Sequence, residues 1–333
     1  MSGGTFRALV VEEAGENKYV RSVKERTVDS LPAGEVLIRV QFSSLNYKDA
    51  LSATGNKGVT KSYPHTPGID AAGVVEESAS VEFRGGDEVI VTGYDLGANT
   101  PGGYGGFIRV PAAWVVKLPR GLSLKDSMVY GTAGFTAALS VYKLEEYGVR
   151  HGGGEVLVTG ATGGVGSVAC GILAKAGYDV VASTGKTDRK DFLLGLGVRE
   201  VIGREDATDT SGRPLLKARW AGAVDTVGGD ILATAIKSAK QHGVVTCCGN
   251  VASAELPINV YPFILRGVSL VGIDSAYCPM ETRKRVWAKI AREWKIENLD
   301  SITTEISLSG LDEHIDLILR GKETGRVVVD LSR

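Results

Sequence analysis

The sequence predicts an α/β fold in which a doubly wound parallel sheet is joined to a smaller, β-rich, partly open barrel, and three observations lead there. Residues 155–166, Glu155-Val156-Leu157-Val158-Thr159-Gly160-Ala161-Thr162-Gly163-Gly164-Val165-Gly166, form a short apolar run that ends in a glycine-rich turn. Behind the turn, Val165, Val168, Ala169, Ile172, Leu173 and Ala176 recur at helical spacing. Residues 179–183 then read as a second strand, which completes a βαβ unit of about 30 residues. The third observation is a change of texture near residue 120, from short β-rich runs to alternating helices and strands.

Before that change, residues 35–40, 72–75 and 88–91 read as strands. Pro32-Ala33-Gly34, Pro67-Gly68, Arg84-Gly85-Gly86-Asp87 and Pro119-Arg120-Gly121 separate them, because proline and glycine set turns. After it, helical stretches at 124–130 and 135–146 lead to the strand at 155. Further strands are expected at 200–202, 223–227, 244–247 and 269–273, most with a helix between, giving six in all and a sheet covered on both faces. A helix at 281–294 closes this half. The tail returns to β texture at 302–306, passes through a helix at 311–320 and ends in a strand at 326–329. The expected domains are therefore residues 1–120, to which 300–333 return, and an inserted domain of 121–299.

Composition narrows the function. The chain of 333 residues is 43% hydrophobic and 23% charged, which suits a globular protein with two real cores. Its 38 Lys and Arg against 39 Asp and Glu leave a net charge of −1, so no basic excess draws it to nucleic acid or to an anionic membrane. Any phosphate recognition must be local. Cys170, Cys247, Cys248 and Cys278 lack metal-ligand spacing and favour a reducing compartment. The first residues lack the pattern of a leader peptide, and no apolar run approaches the ~18 residues of a membrane span, so a cytoplasmic location is expected. The 44 glycines are spread through turns, and no internal repeat is found.

The glycine turn points to a dinucleotide. A pyrophosphate needs backbone that approaches it without Cβ atoms, and a helix N-terminus whose free N–H groups and dipole face the anion. Gly163, Gly164, Val165 and Gly166 supply that turn, although Ala161 takes the place of the fingerprint's first glycine. The end of the second strand selects the cofactor. An NAD site places Asp or Glu there for the ribose, whereas this chain has Ser183-Thr184-Gly185-Lys186. Hydroxyls, a glycine backbone and a lysine suit a 2′-phosphate, with Arg189 and Lys190 as further cations and Asp188 as the counter-signal. NADPH is the expected cofactor.

The whole chain resembles the medium-chain dehydrogenase/reductase superfamily, with a GroES-like β-barrel catalytic domain and a Rossmann NADPH-binding domain. Residues 44–50 (Ser44-Leu45-Asn46-Tyr47-Lys48-Asp49-Ala50), Pro67-Gly68-Ile69-Asp70, the stretch 130–137, the turn 158–166, the stretch 260–268 and Gly272-Ile273-Asp274-Ser275 resemble the YhdH/YhfP group of quinone oxidoreductases and acrylyl-CoA reductases. The zinc alcohol dehydrogenases share this architecture but place a cysteine on the loop after an early barrel strand and a His-Glu pair after the Pro-Gly turn. Here those places read Asn46-Tyr47-Lys48-Asp49 and Ile69-Asp70, which offer neither thiolate nor imidazole, so no metal is expected. His65, His151, His242 and His314 are scattered and read as surface or packing residues.

The resemblance implies the site. Asn46, Tyr47 and Asp49 stand on the barrel loop that faces the cofactor in the related fold, with Tyr47 touching the nicotinamide or donating a proton, Asn46 bonding a carbonyl oxygen, and Asp49 orienting Tyr47 or Lys48. A capped helix start is the alternative for the cluster. Thr132 and Thr136 are implied as cofactor contacts, or else as caps. Arg204, Gly249, Phe263, Ile264, Leu265, Asp274, Ser275 and Arg326 fall on later strand ends and loops that look like the remaining cofactor contacts, although Arg326 could instead cap the tail strand. The glycine-rich loops 54–61 and 94–107 shape the substrate end, with Tyr94 or Tyr104 against a flat ring or acyl chain. Lys57, Lys61 and the run Arg283-Lys284-Arg285 are candidate cations for a CoA substrate. The implied activity is a zinc-independent, NADPH-dependent reduction of an activated double bond, acrylyl-CoA to propionyl-CoA in its sharpest form. The alternatives are NADPH:quinone reduction and an NADPH-binding sensor without turnover. A homodimer through the apolar segment 268–273 is expected as well.

Overall fold

The structure is a computed structural model that describes residues 4–333. An N-terminal hairpin pairs β1 (Thr5–Gly15) with β2 (Lys18–Thr27), its tip made possible by Asn17 in the left-handed region at φ 55°. β3 (Val36–Ser44), α1 (Tyr47–Ala53), β4 (Asp70–Ser78), β5 (Glu88–Thr92), β6 (Phe107–Val110) and β7 (Val115–Lys117) follow. The helical stretch α2 (Leu124–Glu146) is interrupted at Gly131, whose φ of 52° and ψ of −156° separate the two helices expected from sequence. Then come β8 (Glu155–Val158), α3 (Gly164–Lys175), β9 (Asp179–Thr184), α4 (Lys190–Gly195), β10 (Glu200–Gly203), β11 (Trp220–Asp225), α5 (Gly229–Lys237), β12 (Ala239–Cys247), α6 (Tyr261–Arg266) and β13 (Ser269–Gly272). The chain ends with α7 (Met280–Ile290), β14 (Thr303–Ser307), α8 (Leu311–Leu319) and β15 (Arg326–Asp330).

Two compact units result. One holds the chain up to Thr132 together with Ala276–Arg285 and Asn298–Arg333, and the other holds Ala133–Ser275 with Val286–Glu297. In the first, a seven-stranded sheet runs β14-β15-β3-β4-β5-β7, with β6 also paired to β3. Alternate residues of these strands, including Val36, Ile38, Val40, Val89, Val91, Ile108 and Val110, bury one face as a common core. The tail strand belongs here because β15 pairs antiparallel with β3, Val328 opposite Ser44.

The second unit is a six-stranded parallel sheet in the order β10-β9-β8-β11-β12-β13. Numbered along the chain this is 3-2-1-4-5-6, the doubly wound Rossmann arrangement expected above. Its central strands are apolar throughout because helices cover both faces; Val156, Leu157 and Val158 are all buried. The order reverses at β8 and β11, which places a ligand crevice at their carboxyl ends.

Candidate functional site

At the end of β8 the chain turns at Gly160, whose φ of 59° suits glycine. The tight turn therefore lies one residue before the place occupied by Ala161, and the apparent gap in the fingerprint is filled by Gly160. Gly163 caps α3, with its neighbours opening the helix. A Cβ on Gly166 would lie 2.3 Å from the Gly160 carbonyl oxygen and 2.8 Å from the Ala161 Cα, so this position is the close packing of helix on strand. The two strand ends are joined by Ala161 N–H to the Ser183 carbonyl, 3.0 Å, and by Thr162 Oγ1 and Thr184 Oγ1, 3.1 Å apart.

Beyond β9, Thr184 Oγ1 accepts the Lys186 N–H at 3.0 Å and fixes the next turn. A Cβ on Gly185 would meet the Arg204 guanidinium at 2.8 Å. Arg204 thus lies over the glycine backbone, beside buried Ser183 and Thr184 and half-buried Lys186. Asp188, the acidic counter-signal, forms a surface pair with Arg189 at 3.4 Å. The residue types fit a 2′-phosphate: two cationic side chains and two hydroxyls gather around the glycine backbone at this strand end.

Sequence reasoning missed a buried lock beside this turn. Thr159 Oγ1 donates to Asp225 Oδ1 at 2.7 Å and accepts the Thr226 N–H at 3.1 Å, and Asp225 Oδ2 accepts the Gly228 N–H at 2.8 Å. Burial raises the Asp225 pKa, opposed by these hydrogen bonds. Thr159 and Asp225 end adjacent strands at the reversal point, so their pairing was implicit in the strand order once that order was known. Gly249 is needed here too, since a Cβ would lie 2.2 Å from the Thr226 carbonyl oxygen. Thr136 Oγ1 bonds Ser275 Oγ at 2.7 Å, which joins two expected contacts, and Asp274 is exposed. Phe263 corrects the expectation for its side chain, because it packs against the hydrophobic core of this unit. Ile264 and Leu265 are 67% and 56% exposed on α6, beside the edge strand β13.

In the first unit the polar cluster takes a different form. Asn46 caps α1, and Asp49 at N3 accepts the Asn46 N–H at 2.9 Å and the Ile69 N–H at 2.7 Å. Asn46 Nδ2 donates to Asp70 Oδ2 at 2.7 Å; the same carboxylate receives Ser44 Oγ at 2.6 Å, the Thr132 N–H at 2.8 Å and, on Oδ1, Thr132 Oγ1 at 2.6 Å. Arg326 is 2% exposed and donates to the Val129 and Leu45 carbonyls, to Ser44 Oγ and to Asn46 Oδ1. Gly131 is required beside it: a Cβ there would meet Asp70 Oδ2 and Ser44 Oγ, each at 2.5 Å. Burial, and then the charge of Asp70, push the Asp49 carboxyl up to about 7. Burial lowers the Arg326 pKa against the opposing pull of Asp70.

Three expectations are corrected by this geometry. Asp49 does not orient Tyr47 or Lys48, because its oxygens hold the helix cap and the Ile69 amide. The Asn46 amide is engaged with two carboxylates and Arg326, so it has no donor directed at a substrate carbonyl. Arg326 is an internal clasp whose buried guanidinium is engaged with the Val129 and Leu45 carbonyls, Ser44 Oγ and Asn46 Oδ1. Tyr47, 49% exposed at the start of α1, and Lys48, also exposed, are the members of the cluster that present their side chains. Among the loop candidates, Tyr104 is fully buried with its hydroxyl on the Ser44 carbonyl at 3.2 Å. Lys57 pairs with Glu13 and lies over Tyr63, and Arg283 is buried. Among the described residues, no group of three or more His, Cys, Asp and Glu side chains is arranged to hold a metal ion. Among the described residues, no helix is long and apolar enough to cross a membrane.

Comparison with known proteins agrees with this architecture. The alcohol dehydrogenase GroES-like domain model matches residues 32–120, and the zinc-binding dehydrogenase model matches residues 164–292. The acrylyl-CoA reductase AcuI of Ruegeria pomeroyi is 44% identical over 98% of this chain and 99% of its own. The crystal structure of Bacillus subtilis YhfP with NAD bound superposes with a TM-score of 0.96 at 47% identity, covering 98% of this chain and 99% of that one. That of Escherichia coli YhdH with bound NADPH gives 0.94 at 41% identity, covering 97% and 99%. The chain belongs to the medium-chain dehydrogenase/reductase superfamily. Within it, the chain is a full-length relative of YhfP, YhdH and AcuI, which makes it an NAD(P)-dependent oxidoreductase of the acrylyl-CoA reductase and quinone oxidoreductase type.

Proposed function

We propose that the protein is a zinc-independent, NADPH-dependent reductase of activated double bonds, and that its substrate is acrylyl-CoA, converted to propionyl-CoA. The observation that carries the cofactor choice is the end of β9, where Lys186 and Arg204 flank Gly185 and no carboxylate stands in their place. The substrate choice is supported by the likeness to AcuI over nearly the full length of both chains. Gly163, Gly164, Val165 and Gly166 would hold the pyrophosphate at the start of α3. Ser183, Thr184, Gly185, Lys186 and Arg204 would hold the 2′-phosphate.

When bound, NADPH supplies a hydride, which the β-carbon of the conjugated alkene accepts. The α-carbon then needs one proton, for which Tyr47 Oη is the chain's candidate donor, with water as the competing source. A thioester-conjugated alkene is already electron-poor, so the reaction does not depend on a Lewis acid as alcohol oxidation does. Thr136, Ser275, Gly249 and Asp274 shape the nicotinamide end of the crevice in this reading. The exposed Ile264, Leu265 and Leu270 beside the open edge β13 support a homodimer, and a monomeric mass in solution at micromolar concentration would remove that part.

The deciding experiment follows NADPH oxidation with acrylyl-CoA beside a benzoquinone, each repeated with NADH and with a zinc chelator. NADPH-preferring, chelator-resistant turnover with the higher kcat/KM for acrylyl-CoA is expected. Turnover of quinone alone would favour the second reading, quinone reduction, which the name borne by YhfP supports. Cofactor binding with neither turnover would leave a nucleotide sensor.

A further inference from the structure

In one corner of the β-rich unit a half-buried ring is held firmly beneath an exposed one. Tyr94 follows β5 with φ 53°, a left-handed backbone that bulky residues rarely adopt. Its ring stacks on Trp114, centroids 5.4 Å apart and planes 1° from parallel, and the Arg283 guanidinium lies 4.6 Å from its centroid. Arg283 is 1% exposed and donates Nη1 to the Thr92 carbonyl at 2.9 Å and Nη2 to the Ala276 carbonyl at 3.0 Å. The Tyr94 N–H reaches the same Ala276 carbonyl at 3.0 Å. Next in the chain, Tyr277 stands edge-on to Tyr94 at 6.3 Å and is 66% exposed. Lys284 and Arg285 follow Arg283 on α7, and both are exposed.

A scattered surface tyrosine needs no explanation, but Tyr277 stands edge-on against Tyr94, and Tyr94 in turn rests on a buried cation, a stacked pair and an unfavourable backbone angle. Such support fixes a ring in advance, which lowers the entropic cost of stacking a flat partner on it. The basic run is also divided in its duties, with Arg283 bracing the stack while Lys284 and Arg285 face outward. An occupant matched to both features carries a flat base and phosphates together.

We propose that Tyr277, braced by Tyr94, Trp114 and Arg283, stacks on the adenine of a coenzyme A thioester, while Lys284 and Arg285 meet its 3′-phosphate and diphosphate. This rests on the acyl-CoA reading and extends it, since a quinone has neither a purine nor a phosphate to offer. Base–aromatic stacking tolerates any base, and charge-assisted bonds to phosphate supply the rest.

The test compares acrylyl-CoA with acrylyl-N-acetylcysteamine, which keeps the reacting thioester and lacks the nucleotide. Tyr277→Ala is expected to raise the KM for acrylyl-CoA about tenfold and to leave that for the truncated thioester unchanged, with Tyr277→Phe restoring it. The double variant Lys284→Glu, Arg285→Glu is expected to raise it about tenfold, an effect that added salt diminishes. The KM for NADPH, which also carries an adenine, stays constant in all three. Equal effects on both thioesters, or none on either, would overturn the assignment while leaving acrylyl-CoA reduction in place. Calorimetry with CoA itself is independent of turnover. Loss of CoA binding in Tyr277→Ala supports the site, and no binding by the wild-type protein at millimolar CoA overturns it even if the reductase reading also fails.

Discussion

The polar cluster around Asp70 and the turn at the ends of β8 and β9 are both built from residue types that suggest a ligand, yet they differ in where their polar groups point. Around Asp70 the carboxylates and the guanidinium close on one another, with Ser44, Asn46 and Thr132 bridging them. At the β8 and β9 ends the hydroxyls of Thr162 and Thr184 join the two strand ends, the helix start at Gly164 follows the glycine turn, and Arg204 lies over the Gly185 backbone. The difference teaches that residue identity marks polar chemistry, whereas a glycine-lined backbone at a helix start and strand end marks a site. A buried charged network supports a fold when its members satisfy each other.

The largest effect that would break this contrast is expected at Arg326. Removing one member of a buried charged network leaves its partners without compensation, so Arg326→Ala should cost about 3–5 kcal/mol in urea denaturation. A loss below ~1 kcal/mol would mean that the clasp is dispensable to the fold. Next in size is Gly166→Ala, whose Cβ would fall 2.3 Å from the Gly160 oxygen. Overpacking of this kind costs about 1–3 kcal/mol, and because α3 must move off the turn, NADPH affinity measured by fluorescence should fall with it. Retained affinity would remove the turn from the cofactor site.

Charge reversal at the β9 end sharpens the comparison without touching the fold. Lys186→Glu should raise the KM for NADPH by about ten- to a hundredfold while scarcely moving that for NADH, and equal effects would exclude Lys186 from the phosphate site. Tyr47→Phe should lower kcat by about tenfold with little change in KM if its hydroxyl moves the proton; unchanged kinetics leave water as the donor. The gentlest prediction concerns pH. Asp49 titrates near 7 in the fold against an ordinary 3.8, so the folded state holds the extra proton between those values. The stability this contributes is complete below about 4 and is lost as pH rises through about 7. The melting temperature should therefore decline from pH 5 to pH 8, and Asp49→Asn should flatten that decline. An identical slope in both proteins would place the titrating group elsewhere.

Much of this was legible in the residues. The six parallel strands, the return of the tail to the β-rich unit and the glycine turn follow from apolar periodicity and turn chemistry, which act over a few residues. Even the break between two helices near Gly131 was visible as two separate apolar stretches. The pairing of Thr159 with Asp225 was not, because the partners are 66 residues apart and meet only once the strand order is set. For a related reason the sequence leaves open whether Asn46 and Asp49 serve a substrate or a helix cap and whether Arg326 serves a ligand or the fold, and the structure shows the cap and the internal clasp. Nothing local distinguishes an asparagine that faces a substrate from one that faces Asp70.

By itself, then, the sequence determined the architecture and the glycine-rich turn between an apolar strand and a helix. Each of these depends on which residue types occur at short spacing. Only the tertiary structure decided that Gly160 makes the turn, that Arg204 lies over Gly185 beside Lys186, and that Arg283 is a buried brace while Lys284 and Arg285 remain outside. Those outcomes depend on which long-range partners satisfy each buried donor and charge, and burial makes that choice only when the chain has closed on itself.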